Sequence, residues 1–229
     1  MRKSLALIAV LILSLASAGA ALAQFTQTAT VSMTAHKGGQ STGITSDIQS
    51  SDPTAAGAKP KPATKLAITF PTRTKFDLTT TLVTRCTYID TQLAKEFGPS
   101  CPKTSQIGNG TAVANASPLA ASVKAVVKAY VRGSRQIVLV LKPSLPGAPT
   151  IVIDATVTRS TLTIPVPTIT LGGISVVLVS LKLTVPALGT GKTALITAGR
   201  CIGHAFVVRS NFRYADGSHL ILVSSTPCR

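Results

Sequence analysis

The chain has 229 residues, 45% hydrophobic and 13% charged, with 23 Lys and Arg against seven Asp and Glu, a net charge of +16 at neutral pH. With no Trp, three Tyr and six Phe, it lacks the basic and aromatic interleaving of a single-strand nucleic-acid reader and the aromatic platform on which sugars stack. The charge favours anionic partners, although the cations are scattered and as solvated surface need none.

Arg2 and Lys3 precede an apolar run from Leu5 to Leu15, interrupted only by Ser14, and Ala21-Leu22-Ala23 sets small residues at −3 and −1 of a cut. Residues 1–23 therefore read as an export signal, the run being shorter than the ~20 residues of a membrane span. The leader takes two basic residues and no acidic one, leaving a mature charge of about +14. Beyond Ala23 the longest apolar stretch, Ile164–Val185, is broken by Pro165, Pro167, Gly172, Gly173 and Lys182. No membrane span is expected after cleavage, and the mature chain is expected in the cell envelope or the medium.

Residues 24–36 form the first expected strand, since Phe25 to Ala35 alternate Thr and Ser with apolar residues. Residues 37–64, rich in Gly, Ser, Thr, Asp, Ala and Pro and ending in Lys59-Pro60-Lys61-Pro62, read as a flexible loop or linker. The main part of a single domain follows over 65–229, opening with Leu66, Ile68 and Phe70 on one strand face before Pro71. A short helix is expected between Cys86 and Cys101, with Asp90 placed to cap it and Leu93 and Phe97 on one face.

Further strands are expected at 111–116 and 123–131. Val131 to Arg135, followed by Ile137 to Leu141, predicts a hairpin with Gly133 first in a two-residue loop. Its first strand carries Lys124, Lys128 and Tyr130 on one face. Strands at 150–158, 161–166 and 174–185 precede a last hairpin, in which Phe206, Val208, Ser210, Phe212 and Tyr214 form an apolar face. Asp216-Gly217 predicts a type I′ turn that would set Tyr214 opposite His219 and Phe212 opposite Ile221. Ten or more short strands with little helix predict an all-β fold: an antiparallel β-sandwich, Ig-like or jelly-roll-like, with one short helix in a disulfide-closed loop.

Cys86, Cys101, Cys201 and Cys228 all lie in the exported part, and an even count in an oxidising compartment reads as two disulfides. Three connectivities exist; the two local closures, Cys86–Cys101 and Cys201–Cys228, are taken, each contributing about 3–4 kcal/mol in the chain-entropy picture. A metal centre would want a Cys-x-x-Cys pair or neighbouring His, and the sequence has neither.

Gly189-Thr190-Gly191-Lys192-Thr193 has the tail of a phosphate loop, but Pro186 stands at the first required Gly and a β-like run follows. His36, His204 and His219 are isolated, with His219 read as a half-buried sheet residue. Asp77, Asp90 and Asp154 have the chemistry to pair as glycoside hydrolysis requires, yet nothing in the sequence brings them together, and no Gly-x-Ser-x-Gly elbow occurs. Two N-glycosylation patterns, at Asn109 and Asn115, read as chance in a bacterial export product. No catalytic residue, cofactor or metal is therefore expected. The best anion-contact candidates are Lys124, Lys128 and Arg132 on one strand face and Arg209 and Arg213 on another.

Three segments carry a resemblance: Lys65–Asp77, Cys101-Pro102-Lys103-Thr104-Ser105-Gln106-Ile107-Gly108-Asn109-Gly110-Thr111-Ala112, and Phe212 to Ser218 with Cys228. They resemble a group of uncharacterised secreted β-sandwich proteins of actinobacteria. The resemblance implies secretion, a sandwich and the Cys86–Cys101 pairing; it implies no activity or functional residue. The function expected is thus a non-enzymatic secreted module that binds anionic cell-wall polymers or polysaccharide. The alternatives are an envelope-directed hydrolase with a site assembled from separated residues, and a carrier with an apolar cavity between its sheets.

Overall fold

The computed structural model describes residues 25–53, 58–94 and 100–229; the export signal over 1–23 lies outside them. The strands are β1 (Thr26–Met33), β2 (Ile44–Ser51), β3 (Ala63–Thr69), β4 (Lys75–Phe76), β5 (Gln106–Ala116), β6 (Ala120–Gly133) and β7 (Gln136–Pro143). They continue with β8 (Ile151–Thr158), β9 (Thr161–Pro165), β10 (Ile169–Leu171), β11 (Ile174–Val185), β12 (Ile196–Thr197), β13 (Ala205–Tyr214) and β14 (His219–Pro227). The helix α1 spans Asp90–Leu93.

All pairings are antiparallel, in the order β1-β2-β11-β5-β6-β7-β8-β9-β3-β13-β14, with β10 folded onto β11. The sheet curls until its two ends meet. There Ser224 Oγ accepts from Val31 N (3.1 Å) and donates to the Val31 carbonyl (3.0 Å), and Met33 N donates to Thr226 Oγ1 (3.2 Å). Hydroxyl groups of β14 thus take the place of a backbone ladder. The all-β antiparallel expectation is met, but the two layers of a sandwich are here opposite walls of one nearly closed barrel.

Alternation along the strands fills the interior, as it must when one face is buried. Val127, Ala129 and Val131 of β6, Ile137, Leu139 and Leu141 of β7, and Phe206, Val208 and Phe212 of β13 all join one apolar core. One end of the barrel is stoppered by the connections around β4 and β12, which pair with each other and bury Leu78, Leu195 and Ile196 with Phe70.

Residues 44–51 correct the linker expectation. Ile44-Thr45-Ser46-Asp47-Ile48 is a strand held between β1 and β11, with Ile44, Ser46 and Ile48 buried. A serine on the inner row disguises the period of two.

The last hairpin also differs from expectation. Gly217 N donates to the Tyr214 carbonyl (3.0 Å), Tyr214 N to the Ser218 carbonyl (3.0 Å), and Gly217 takes φ +83°. This is a three-residue loop closed by a left-handed Gly rather than a type I′ turn. Register shifts by one, so Arg213 faces His219 and Phe212 faces Leu220. A one-residue slip exchanges faces: His219 is exposed on the outside, and Leu220 and Leu222 turn inward. In the β6–β7 hairpin, Gly133 pairs with Gln136, so the two-residue loop is Ser134-Arg135 and Gly133 ends the strand.

Both disulfides form as the local closures, Cys86–Cys101 and Cys201–Cys228. The first, with Leu93, covers Tyr130 and Val138 on the outer face of β6–β7 in a second small apolar cluster. Ile89 rather than Asp90 is the N-cap residue of α1, and its N–H donates to Gln92 Oε1 (3.1 Å). Phe97 lies outside the described residues.

Candidate functional site

Four of the five expected anion contacts stand on the barrel exterior. Lys124 and Lys128 are exposed on β6, and Lys142, likewise exposed, is on neighbouring β7. Arg209 and Arg213 are exposed on β13, and Arg213 lies between Lys65 of β3 and His219 of β14. None of these side chains has a carboxylate partner among the described residues.

Arg132 is the exception. The register of β6 on β7 slips between Val131 and Gly133, making Arg132 the extra residue of a bulge, a device that re-aims a side chain. Its Nη1 donates to both oxygens of Asp154 (2.8 and 2.9 Å) and to Asp90 Oδ1, and its Nη2 donates to the Tyr88 carbonyl (2.9 Å). Arg132 is spent on holding the disulfide-closed segment to the barrel and is no open anion contact.

The same clamp brings together two of the carboxylates considered for hydrolysis. Burial, with the neighbouring Asp90 charge adding to it, pushes the Asp154 carboxyl up, while Arg132 pulls it down. Both acids turn onto one guanidinium above a shallow depression lined by Arg85, Thr87, Tyr88 and Ile89. Catalysis across a glycosidic bond needs acids flanking open space; here a cation fills it. Asp77 instead accepts from the Thr79 N–H and hydroxyl in its own turn, and no Asp contacts His204 among the described residues.

The Cys101–Ala112 segment is explained by packing. Ser105 Oγ donates to the Pro102 carbonyl (2.6 Å) in a 3₁₀ turn, and Ile107 is buried. At Gly110 a Cβ would stand 1.9 Å from the Lys182 carbonyl oxygen, and at Gly108 2.8 Å from that of Thr184. Both glycines admit β11 to close pairing with β5. The phosphate-loop-like segment is a single 3₁₀ turn, Gly191–Thr193, leading to β12 rather than a helix.

The most enclosed hollow among the described residues lies inside, at the end of the barrel opposite the stopper. A cavity of about 210 Å³ is walled by Ile48, Leu66, Leu139, Leu141, Ile153, Ile164, Leu181 and Phe212, with Gln27, Ser50, Lys61, Thr64 and Ser175 among its polar lining residues. A second hollow of about 60 Å³, lined by Ala112, Ala114, Ala116 and Ala125, shares Leu141, Ile169, Val176 and Leu178 with it. The cause is geometric: barrel width grows with strand number, and short Ala side chains on β5 and β6 leave this end unfilled. Sequence reading offered an apolar cavity as one alternative but could not locate it, because its wall is drawn from strands far apart in the chain.

Across the cavity mouth runs the Lys-Pro-Lys-Pro segment. Asn115 Nδ2 donates to the Ala58 carbonyl (3.3 Å), Lys59 Nζ to the Ser175 carbonyl (2.5 Å) and Ala215 N to the Pro62 carbonyl (3.1 Å). Lys61 Nζ meets Asp216 Oδ2 (2.5 Å) and Ser218 Oγ (2.6 Å), 5.1 Å from the centre of the Tyr214 ring. Lys61, with the Ser218 hydroxyl (2.8 Å) and N–H (3.0 Å) that donate to Asp216 Oδ1, holds the Asp216 carboxyl down to about 2. Among the described residues no helix is long and apolar enough to cross a membrane. No family model, curated protein or solved structure matches the chain.

Proposed function

We propose that this chain is a non-catalytic, secreted β-barrel that binds a small apolar ligand in its interior and carries it outside the cytoplasm. The cavity of about 210 Å³ carries this reading. An aliphatic cavity of about 150 Å³ already stays dry and takes up a ligand the size of benzene, and ligand sites are typically concave, mostly apolar and fringed by a few polar groups. Two disulfides are compatible with the compartment, and membership of the actinobacterial group is part of the same proposal.

The test is a titration of residues 24–229, purified without detergent, with the neutral fluorophore N-phenyl-1-naphthylamine, beside native mass spectrometry for co-purifying ligand. Saturable binding at one site is expected. Ala63→Trp, placed where Ala63 lines the cavity half-buried, should abolish it while leaving the unfolding curve cooperative. No saturable binding, or equal binding by the variant, would sink the reading.

A second reading, retention on anionic envelope polymers, draws on the row Lys65, Arg213 and His219. Lys65 and Arg213, cations set directly opposite across strands, repel, and a polyanion would relieve that. Retention on isolated cell wall at low ionic strength that is lost at high salt supports it; indifference to Lys65→Gln/Arg213→Gln removes it.

A further inference from the structure

We propose that the ligand is a single-chain amphiphile with an anionic head group, carboxylate or phosphate, its chain in the cavity and its head at Lys61 and Lys59. This rests on the carrier reading and adds the chemical class. The cavity wall is mostly apolar, so its deep part selects little beyond an apolar body; discrimination belongs to the polar groups at its edge. Lys61 lines the cavity with its side chain 33% exposed, neither buried away from a ligand nor free in solvent. Lys59 reaches Ser175, another lining residue.

Among the described residues these two ammonium groups meet one carboxylate, that of Asp216, so the lysine pair keeps net positive charge. An ammonium carries three donors. Lys61 gives one each to Asp216 and Ser218, and Lys59 gives one to a carbonyl. Donors remain on both for an incoming anion, and Pro60 and Pro62 fix the backbone between them. Such a head group would sit at the water boundary while its chain enters between Leu66, Ile164 and Phe212. A cationic head would meet the two lysines, and a neutral one would leave their donors to water.

Displacement of bound N-phenyl-1-naphthylamine by decanoate, decyl phosphate, 1-decanol and decylamine at neutral pH tests this. The two anions should bind about tenfold more tightly than the alcohol, the worth of one charge-assisted hydrogen bond, and the amine should bind least. In Lys59→Gln/Lys61→Gln the anions should lose their advantage over the alcohol; Lys61→Arg should retain the preference. The two anions, run side by side, tell carboxylate from phosphate. Equal binding of acid and alcohol by the unaltered protein, an anion preference that survives the double substitution, or a preference for decylamine each overturns the head-group assignment while leaving the cavity reading intact. Failure of every decyl compound to displace the probe overturns both.

Discussion

Replacing Arg132 by Ala should loosen the disulfide-closed segment from the barrel, and the structure sets the size of the effect. The guanidinium is 16% exposed, against 38% for Asp154 and 52% for Asp90. Asp154 is met through one nitrogen rather than a two-nitrogen fork, so this pair falls near the lower end of charge-assisted bonds, about 1.5 kcal/mol. The Asp90 pair is largely screened and contributes at most about 0.5 kcal/mol; the Tyr88 carbonyl bond adds about 1 kcal/mol.

Urea unfolding of Arg132→Ala should therefore show a loss of about 2–3 kcal/mol without a change in slope. A double-mutant cycle with Asp154→Ala should return a coupling near 1.5 kcal/mol, and one with Asp90→Ala under about 0.5 kcal/mol. Asp154 titrates above its ordinary value, so its charge is lost in the fold before it is lost in the unfolded chain. The charged form that Arg132 stabilises disappears as pH falls through that raised value, and the cost of Arg132→Ala should shrink in acid. Equal coupling to the two aspartates, or a cost that grows in acid, would refute the clamp.

Other outcomes follow from single features. Replacing both cysteines by Ala should cost about 3 kcal/mol for Cys86–Cys101 and slightly more for the longer Cys201–Cys228 loop, read from urea midpoints; a loss under about 1 kcal/mol for either contradicts the assignment. Gly110→Ala forces a Cβ onto the Lys182 carbonyl and should cost about 3 kcal/mol or more, seen as a lowered melting temperature, whereas Gly147→Ala, where no atom lies within reach of the Cβ but φ is positive, should cost about 1 kcal/mol. Asp216 should titrate near 2 by carboxyl carbon NMR, and Lys61→Gln should bring it back toward the ordinary range. Because its folded value is depressed, its contribution is present above the unfolded value and lost as pH falls through the folded one.

What was legible in the sequence was local. The alternation of Phe206, Val208, Phe212 and Tyr214 announced β13, and the cysteine spacing anticipated both bridges. Register was harder, because Asp216-Gly217 supports either a two-residue or a three-residue loop, and only the need to bury Leu220 and Leu222 decides between them. Residues 44–51 escaped notice because Thr, Ser and Gln sit there in a strand covered by two neighbours. The Arg132 clamp, and the place and lining of the cavity named only as an alternative, were out of reach for a common reason: each joins residues whose proximity depends on bulges and pairings that no local pattern encodes. Lys124 and Lys128 on β6 and Arg209 and Arg213 on β13 do stand exposed, whereas the bulge turns Arg132 toward Asp90 and Asp154.

The seam between β1 and β14 also bears on the order in which the molecule can be made. Its hydrogen bonds link residues 193 apart in the chain, and just beyond it Arg229 N donates to the His36 carbonyl (2.7 Å). A chain that emerges from its amino end holds β1 with one edge unmet until β14 has been synthesised. Contacts so distant must await the entropic cost of closing a very long loop. Closure thus waits on β14, and Cys228 can bond to Cys201 only after that strand has been made.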